Sequence, residues 1–276
     1  MTPHKFPTGG ALIAVAFCAA VTLGVRAQSK TDEKDPLTFE VASIKPSTRP
    51  CPPCGLVRPL PGNTTYHAEA ATLRSLMTIA YSVTDRQIDG GPSWINTDRF
   101  DMEAKAARPH STDDLHVMLQ HLLEERFQLK LRRENREETV WALVVNKGGS
   151  KMPVHDPADN DYPPIGGNVA RDPDGGICPV MVGHNVTMDY FAFFLSRGQD
   201  RKVINRTGLP ARYDINLRYM PDGVHFGGPD GGGPAISSDC SDLASALPRQ
   251  LGLKLESAKG PVEFLVIEHV EKPSAN

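Results

Sequence analysis

Cys51-Pro-Pro-Cys54 has the spacing of thiol–disulfide redox centres, in which a helix N-terminus lowers the first thiol's pKa and makes it a nucleophile. That context is missing here. Pro50 precedes the pair, Gly55 follows it, and residues 56–63 carry too much proline and glycine to begin an amphipathic helix. A structural pair is the better reading, and zinc is disfavoured because no second pair with ligand spacing occurs. With Cys178 and Cys240 these make four cysteines that admit three connectivities. The expected one joins Cys51 with Cys54 and Cys178 with Cys240, the second bond stapling two irregular stretches.

Other chemistry-bearing residues read as structural or solvated. His116 and His121 lie five apart on one predicted helix, on different faces, and not at the i, i+4 spacing that lets two imidazoles share a metal. Both read as surface histidines. The acidic group Asp156, Asp159, Asp161 and the pair Asp172, Asp174 lack the glycine and terminal glutamate of a calcium loop, and read as solvated linker. Gly227-Gly-Pro-Asp-Gly-Gly-Gly-Pro234 has neither a following Gly-Lys-Ser/Thr nor a helix start, so it reads as a solvent loop and not a phosphate cradle. No Gly-x-Ser-x-Gly, His-Glu-x-x-His or supported Ser-x-x-Lys motif occurs. The sequence nominates no catalytic, metal-binding or cofactor-binding residue and no cofactor. Trp94, closing Gly90-Gly-Pro-Ser-Trp94, is either an exposed interaction anchor or a lid on the core beneath the turn; the area an indole buries favours the core.

The elements that position these residues follow a pattern that occurs twice. Arg99-Phe-Asp-Met-Glu-Ala-Lys105 and Arg212-Tyr-Asp-Ile-Asn-Leu-Arg218 both alternate apolar and polar residues, so each is a strand with one buried face. Leu129-Lys-Leu131 leading to Val140–Val145, and Leu253-Lys-Leu255 leading to Val262–Ile267, read as two hairpins. Leu73, Leu76, Met77 and Ala80 make one helical stripe; Met188, Phe191, Ala192 and Leu195 make its counterpart. Thr72 and Thr187 stand where their hydroxyls can cap the first turns. A further stripe, Leu115, Met118, Leu119 and Leu122, corresponds to Leu243, Ala246 and Leu247, where Pro248 kinks or shifts the second helix.

The expected fold is therefore α+β: two tandem copies of a strand-helix-strand-strand-helix-strand-strand unit, small mixed sheets with both helices on one face. The expected boundaries are a signal peptide 1–27, an N-terminal strand (Phe39–Ile44) and Cys/Pro-rich loop in 28–63, a first repeat 64–147, and a Gly/Pro/Asp-rich linker 148–182. The second repeat takes 183–276, with a Gly-rich insertion at 221–238.

With 39% hydrophobic and 23% charged residues, the chain can bury real cores. His4 and Lys5 lead into the apolar run Ala11–Val25 and then Val25-Arg26-Ala27, the pattern of a signal peptide cleaved after Ala27. That run falls short of the roughly 20 residues that span a bilayer, and no other segment is longer, so no membrane span is expected after cleavage. A net charge of −3, made more negative by loss of Lys5 and Arg26, argues against a nucleic-acid partner. The local basic run Lys130, Arg132, Arg133, Arg136 is interleaved with Glu134, Glu137 and Glu138 and reads as a solvated face.

Five stretches resemble a known family: Phe39-Glu-Val-Ala-Ser-Ile-Lys-Pro-Ser47, Gln87-Ile-Asp-Gly-Gly-Pro-Ser-Trp94, Arg99-Phe-Asp101, Thr207-Gly-Leu209 with Arg212-Tyr-Asp214, and Val266-Ile-Glu-His-Val-Glu-Lys-Pro273. The family is the soil-associated, acidobacterial paralogous group of uncharacterised exported proteins, a domain-of-unknown-function family. The resemblance implies bacterial export, and it brings no known activity or catalytic residues to carry over. Element order is also similar, at the level of fold alone, to the short N-terminal domains of secretins and TonB-dependent receptors. The foremost functional reading is a non-catalytic periplasmic or secreted binding module that captures an envelope or extracellular protein by exposed strand edges. The alternative is a hydrolase-like or other enzyme with its site between the two repeats. Thiol–disulfide redox work comes last.

Overall fold

The computed structural model describes residues 37–50, 55–60, 62–159, 165–224 and 235–273. The expected signal peptide, Cys51 and Cys54, Asp161 and the run 227–234 lie outside the described residues. Leu37–Asn276 forms one compact unit. Its first half runs β1 (Val41–Pro46), β2 (Leu56–Pro59), β3 (Thr65–Thr72), α1 (Leu73–Ala80), β4 (Ile88–Gly90), the single turn α2 (Trp94–Thr97), β5 (Arg99–Lys105), α3 (Thr112–Phe127) and β6 (Lys130–Val145). The second runs β7 (Gly166–Arg171), β8 (Ile177–Val186), α4 (Met188–Ser196), β9 (Val203–Asn205), β10 (Tyr213–Arg218), α5 (Leu243–Ala246) and β11 (Leu253–His269). Three sheets result, ordered β1-β5-β3-β2, β10-β8-β7 and β4-β11-β6-β9. The fold is α+β.

Local chemistry explains the elements. The alternation in β5 buries Phe100, Met102 and Ala104, and that in β10 buries Tyr213, Ile215 and Leu217. Both predicted helix stripes are buried. The Thr72 hydroxyl accepts the Ser75 amide and Thr187 accepts that of Tyr190, satisfying first-turn donors that the helix leaves unpaired. Ser111 does the same for α3, whose first turn also carries Asp113 and Asp114 at the positive end of the helix dipole.

Two residues before each of the two threonine caps, the chain enters the left-handed region at a residue other than glycine: Ala70 at φ 45° and Asn185 at φ 55°. Such a conformation costs about 1–2 kcal/mol and must be held from outside. The two strand echoes hold it. Asp101 Oδ1 accepts the Ala70 amide at 2.9 Å and Arg99 donates to the Ala70 carbonyl at 3.2 Å. In the second half Asp214 Oδ1 accepts the Asn185 amide at 3.3 Å and Arg212 donates to the Asn185 carbonyl at 3.1 Å. The register of each pair slips at that point, between Ala68 and Ala71 and between Tyr213 and Ile215. Each Arg-x-Asp is thus a clamp on a β-bulge that redirects the chain into a helix.

The two expected hairpins are instead two single strands, β6 of 16 residues and β11 of 17, paired with each other along almost their full length. No glycine or proline lies between Leu131 and Val140 to turn the chain. Pro261 sits inside β11 opposite Glu137, where β4 does not reach, since β4 pairs only with Leu265–Ile267; an open edge tolerates the missing N–H. Each long strand also takes a short parallel partner from the opposite half: β4 beside β11 and β9 beside β6.

The stretch 148–182, expected as a linker, holds β7 and the start of β8, antiparallel to one another. Ile165, just before β7, and Ile177 and Met181 of β8 are buried and anchor this hairpin despite its glycines and aspartates, while β7 itself stays largely exposed. Asp172 accepts from Arg218 of β10 at 2.6 Å and Asp174 accepts the Gly176 amide at 3.2 Å, so the first ties the hairpin to β10 and the second braces its turn. At Pro248 the α5 turn gives way to a wider turn, Leu247–Leu251, with the proline at its first positions, where a missing N–H is harmless. Gly252 closes it at φ 69°.

A disulfide joins Cys178 to Cys240 across 62 residues. Closing a loop of that length stabilises by about 4 kcal/mol through the unfolded chain. The double variant C178S/C240S should lose about that much in urea unfolding, with m somewhat larger because the chain freed of its cross-link unfolds to a more expanded state. Asp101→Ala and Asp214→Ala should each cost about 1–3 kcal/mol in the same assay, because each orphans an amide and releases a strained turn.

Candidate functional site

A cleft of about 980 Å³ opens between the two halves. The first half contributes β2, α1 and the turn Asp85–Gln87; the second contributes Ile165–Gly167, α4 and the segment that follows it to Lys202. The central sheet supplies Thr139 from β6, and Val262 and Phe264 from β11. Ile79, Val83, Phe194, Val262 and Phe264 make much of the lining apolar. The charged lining is Arg58, Arg86, Arg197, Arg201 and Lys202 against Asp85, Glu138 and Asp200.

Asp200 is committed locally. Its carboxylate accepts from Trp141 Nε1 at 2.9 Å and from Arg201 Nε at 3.0 Å, and these bonds hold it below the usual carboxylate range. Arg201 also lies over the Trp141 ring, and Arg86 donates to the Asp200 carbonyl. Arg197, at the end of α4, rests against the Phe194 ring at 5.3 Å and has no carboxylate partner among the described residues. Lys202 is half-buried; its Nζ donates to the Ser82 carbonyl at 3.2 Å and stands 5.6 Å from the Phe193 ring centroid. Burial lowers its pKa to about 8, against a weaker opposing pull from Glu263. A smaller cavity of about 400 Å³ shares Tyr190 and Lys202 with the main cleft and adds Asp113, Asp189 and Asn205.

Behind the cleft lies an aromatic stack. His116 sits between Tyr66, with ring centroids 6.1 Å apart, and Tyr190, at 5.4 Å. The expectation of a surface histidine fails at His116, which is 5% exposed. The predicted stripe located one buried face of α3; the second arises because Tyr190 of the other half packs against it, which no local pattern announces. The His116 Nε2 and the Tyr66 hydroxyl are buried with no hydrogen-bond partner among the described residues. Burial pushes the Tyr66 phenol far up, and the Tyr190 phenol up to about 12. His121 is exposed and its Nδ1 donates to the Leu37 carbonyl at 2.8 Å.

The remaining sequence candidates lie elsewhere. Trp94 is half-buried, stacked on Phe127 at 6.4 Å with the Lys272 Nζ 5.7 Å from its ring, against the first core. Cys178 and Cys240 lie in their disulfide, apart from the cleft lining. Among the described residues, no three His, Cys, Asp or Glu side chains converge as a metal site. The cleft residues Arg58, Arg86, Arg197, Arg201 and Lys202 were not legible as a group. Arg197-Gly-Gln-Asp-Arg-Lys202 is a local basic cluster, but its partners come from more than a hundred residues away.

Fold and cleft together define an α+β protein whose two halves share a central sheet and enclose a cavity at their junction. The chain belongs to the family described as Protein of unknown function (DUF3738), whose model matches residues 74–270. No curated protein and no solved structure matches the chain. The matched span includes both Arg-x-Asp clamps and the Arg197–Lys202 wall of the cleft.

His116 also sets a pH dependence. Burial lowers its pKa from 6.5 to about 4, with Asp113 opposing weakly, so the folded protein keeps it neutral where the unfolded chain is already protonated. Stability is therefore undiminished above 6.5 and is lost as pH falls from there to about 4, by up to about 3 kcal/mol. In His116→Phe, urea midpoints measured across that window should lose this component of the slope.

Proposed function

We propose that this is a non-catalytic binding module that acts after export, in the periplasm or outside the cell, and holds a ligand in the cleft between its halves. The observation that carries the reading is the cleft itself: about 980 Å³, within the range of small-molecule sites, with an apolar wall and polar and charged groups sharing the lining about equally. Export is supported by the leader pattern of residues 1–27 and by the Cys178–Cys240 disulfide, which persists in oxidising compartments. No helix among the described residues is long and apolar enough to cross a membrane. We take the halves to be duplicated copies; the paired clamps, the matched threonine caps and the reciprocal placement of β4 and β9 support this.

A second reading is favoured by one observation. The Lys202 amine, lowered to about 8 beside Tyr190, would suit a general base in an enzyme placed between the repeats. Capture of an envelope or extracellular protein by a strand edge is the remaining route, since Leu56 on β2 and Val169 on β7 are exposed on edge strands.

Gly167 lines the cleft and a Cβ added there meets nothing within 4 Å, so Gly167→Trp can leave the backbone in place and should put its indole into the cleft without unfolding the protein. Purified residues 28–276, disulfide intact, would be incubated with envelope and secreted extract and examined by native mass spectrometry. A small ligand bound by the wild type and lost in G167W supports the cleft reading. A protein partner retained equally by both moves binding to the strand edges, and chemical conversion of the captured species with loss in Lys202→Met favours the enzyme.

A further inference from the structure

Lys202 is the oddity of the cleft. An ammonium taken half out of water ordinarily acquires a carboxylate, because desolvation penalises its charge. Here the nearest such field comes from Glu263, which is itself paired with Arg133 at 2.7 Å. The ammonium has three N–H donors. The described residues take one, through the Ser82 carbonyl, and the rest stand in a wall common to two cavities.

Other unspent donors gather at the same wall. Arg197 presents a guanidinium without an ion-pair partner among the described residues, and its charge reaches the Tyr190 phenol, whose pKa it lowers against the effect of burial. The Tyr190 hydroxyl stays protonated, so it can donate, and it too has no hydrogen-bond acceptor among the described residues. Phe193, under the Lys202 ammonium, is 5.7 Å from the Tyr190 ring, Arg197 lies over the next residue, Phe194, and Tyr190, Arg197 and Lys202 all line the one cleft. Tyr66, with its fully buried and unpartnered hydroxyl, reaches the same cleft. The unpaired carboxylates of the lining, Asp85 and Glu138, are on exposed residues; neither contributes to the shift at Lys202. A set of donors without acceptors calls for a ligand made of acceptors.

We propose that the cleft takes a small organic acid, its carboxylate or phosphate seated between Lys202, Arg197 and the Tyr190 hydroxyl and its apolar body lying on Phe194, Ile79 and Val262. This rests on the binding-module reading and adds the chemistry of its ligand. Lysine supplies a point charge and arginine a planar fork that suits two acceptor oxygens, so the pair favours an acid over a neutral carbonyl. A bound anion also supplies the counter-charge that the buried ammonium lacks. Without ligand, Lys202 costs the fold stability, the pattern of a residue retained for binding and not for folding.

The test uses three probes with one body and different heads: 4-phenylbutyrate, 4-phenylbutanol and 4-phenylbutylamine, with phenyl phosphate to separate phosphate from carboxylate. Calorimetric titration of residues 28–276 should give an acid affinity roughly tenfold or more above that of the alcohol and amine. Affinity should weaken as pH rises through about 8, where Lys202 loses its charge. R197Q and K202M should each weaken acid binding, while K202M unfolds at the same or a higher temperature; a lysine with a merely structural role would lower it. Equal binding of acid and amine, acid affinity unchanged in the R197Q/K202M double variant, or no acid binding at millimolar concentration each overturns the assignment. The binding-module reading stands or falls separately, on whether G167W abolishes capture of any small ligand from extract.

Discussion

The pairing of β6 with β11 is the constraint on which the rest of the molecule depends. The two strands run antiparallel from Lys130 opposite His269 to Val145 opposite Leu253, and each crosses from one core to the other. Leu143 of β6 is buried in the second core, while Leu265 of β11, from the second half of the chain, is buried in the first. Burying side chains of this size contributes about 1.5–3 kcal/mol each, so neither half can close its core without a strand from the other. The ion pairs along the ladder, Arg133 with Glu263 and Arg132 with Glu268, are half-exposed and worth only about 0–1 kcal/mol each. Apolar burial and the backbone ladder hold the halves together. The charges keep the outer face wet.

This exchange of strands is also what creates the cleft. The flanking sheets, β1-β5-β3-β2 and β10-β8-β7, share no strand, so a gap remains between their β2 and β7 edges where the central sheet forms the floor. Both sides of that gap are positioned by the same local device. An Arg-x-Asp clamp fixes a left-handed residue, the bulge turns the chain, and a threonine caps the helix whose side chains then face the cleft. α1 delivers Ser75, Thr78 and Ile79, and α4 delivers Tyr190 and Phe194. The strain at Ala70 and Asn185 is offset by hydrogen bonds to charged groups, which are stronger than neutral ones.

The interior behind the cleft buries polar groups that the described residues leave without hydrogen bonds. His116 Nε2 and the Tyr66 hydroxyl are buried without partners, and Lys202 is charged in a place that penalises charge. Unpaired buried polar groups are rare because each costs about 1–3 kcal/mol.

The sequence by itself determined everything that depends on near neighbours. Alternation in Arg99–Lys105 and Arg212–Arg218 reveals strands, the three- and four-residue spacing from Leu73 and Met188 reveals helices, and the capping threonines reveal where those helices begin. The Cys178–Cys240 bond was one of few possible pairings and is the one present. Only the tertiary structure decided what depends on distant segments. Leu129–Val145 and Leu253–Ile267 show the same apolar ends and polar middle whether they fold into hairpins or extend across two cores, because the pattern records which residues are buried and not against what. His116 looks like a surface residue until Tyr190, 74 positions later, covers it. The cleft was invisible for the same reason: Arg58, Arg86, Arg197 and Lys202 carry no shared spacing, and what gathers them is the crossing of two strands.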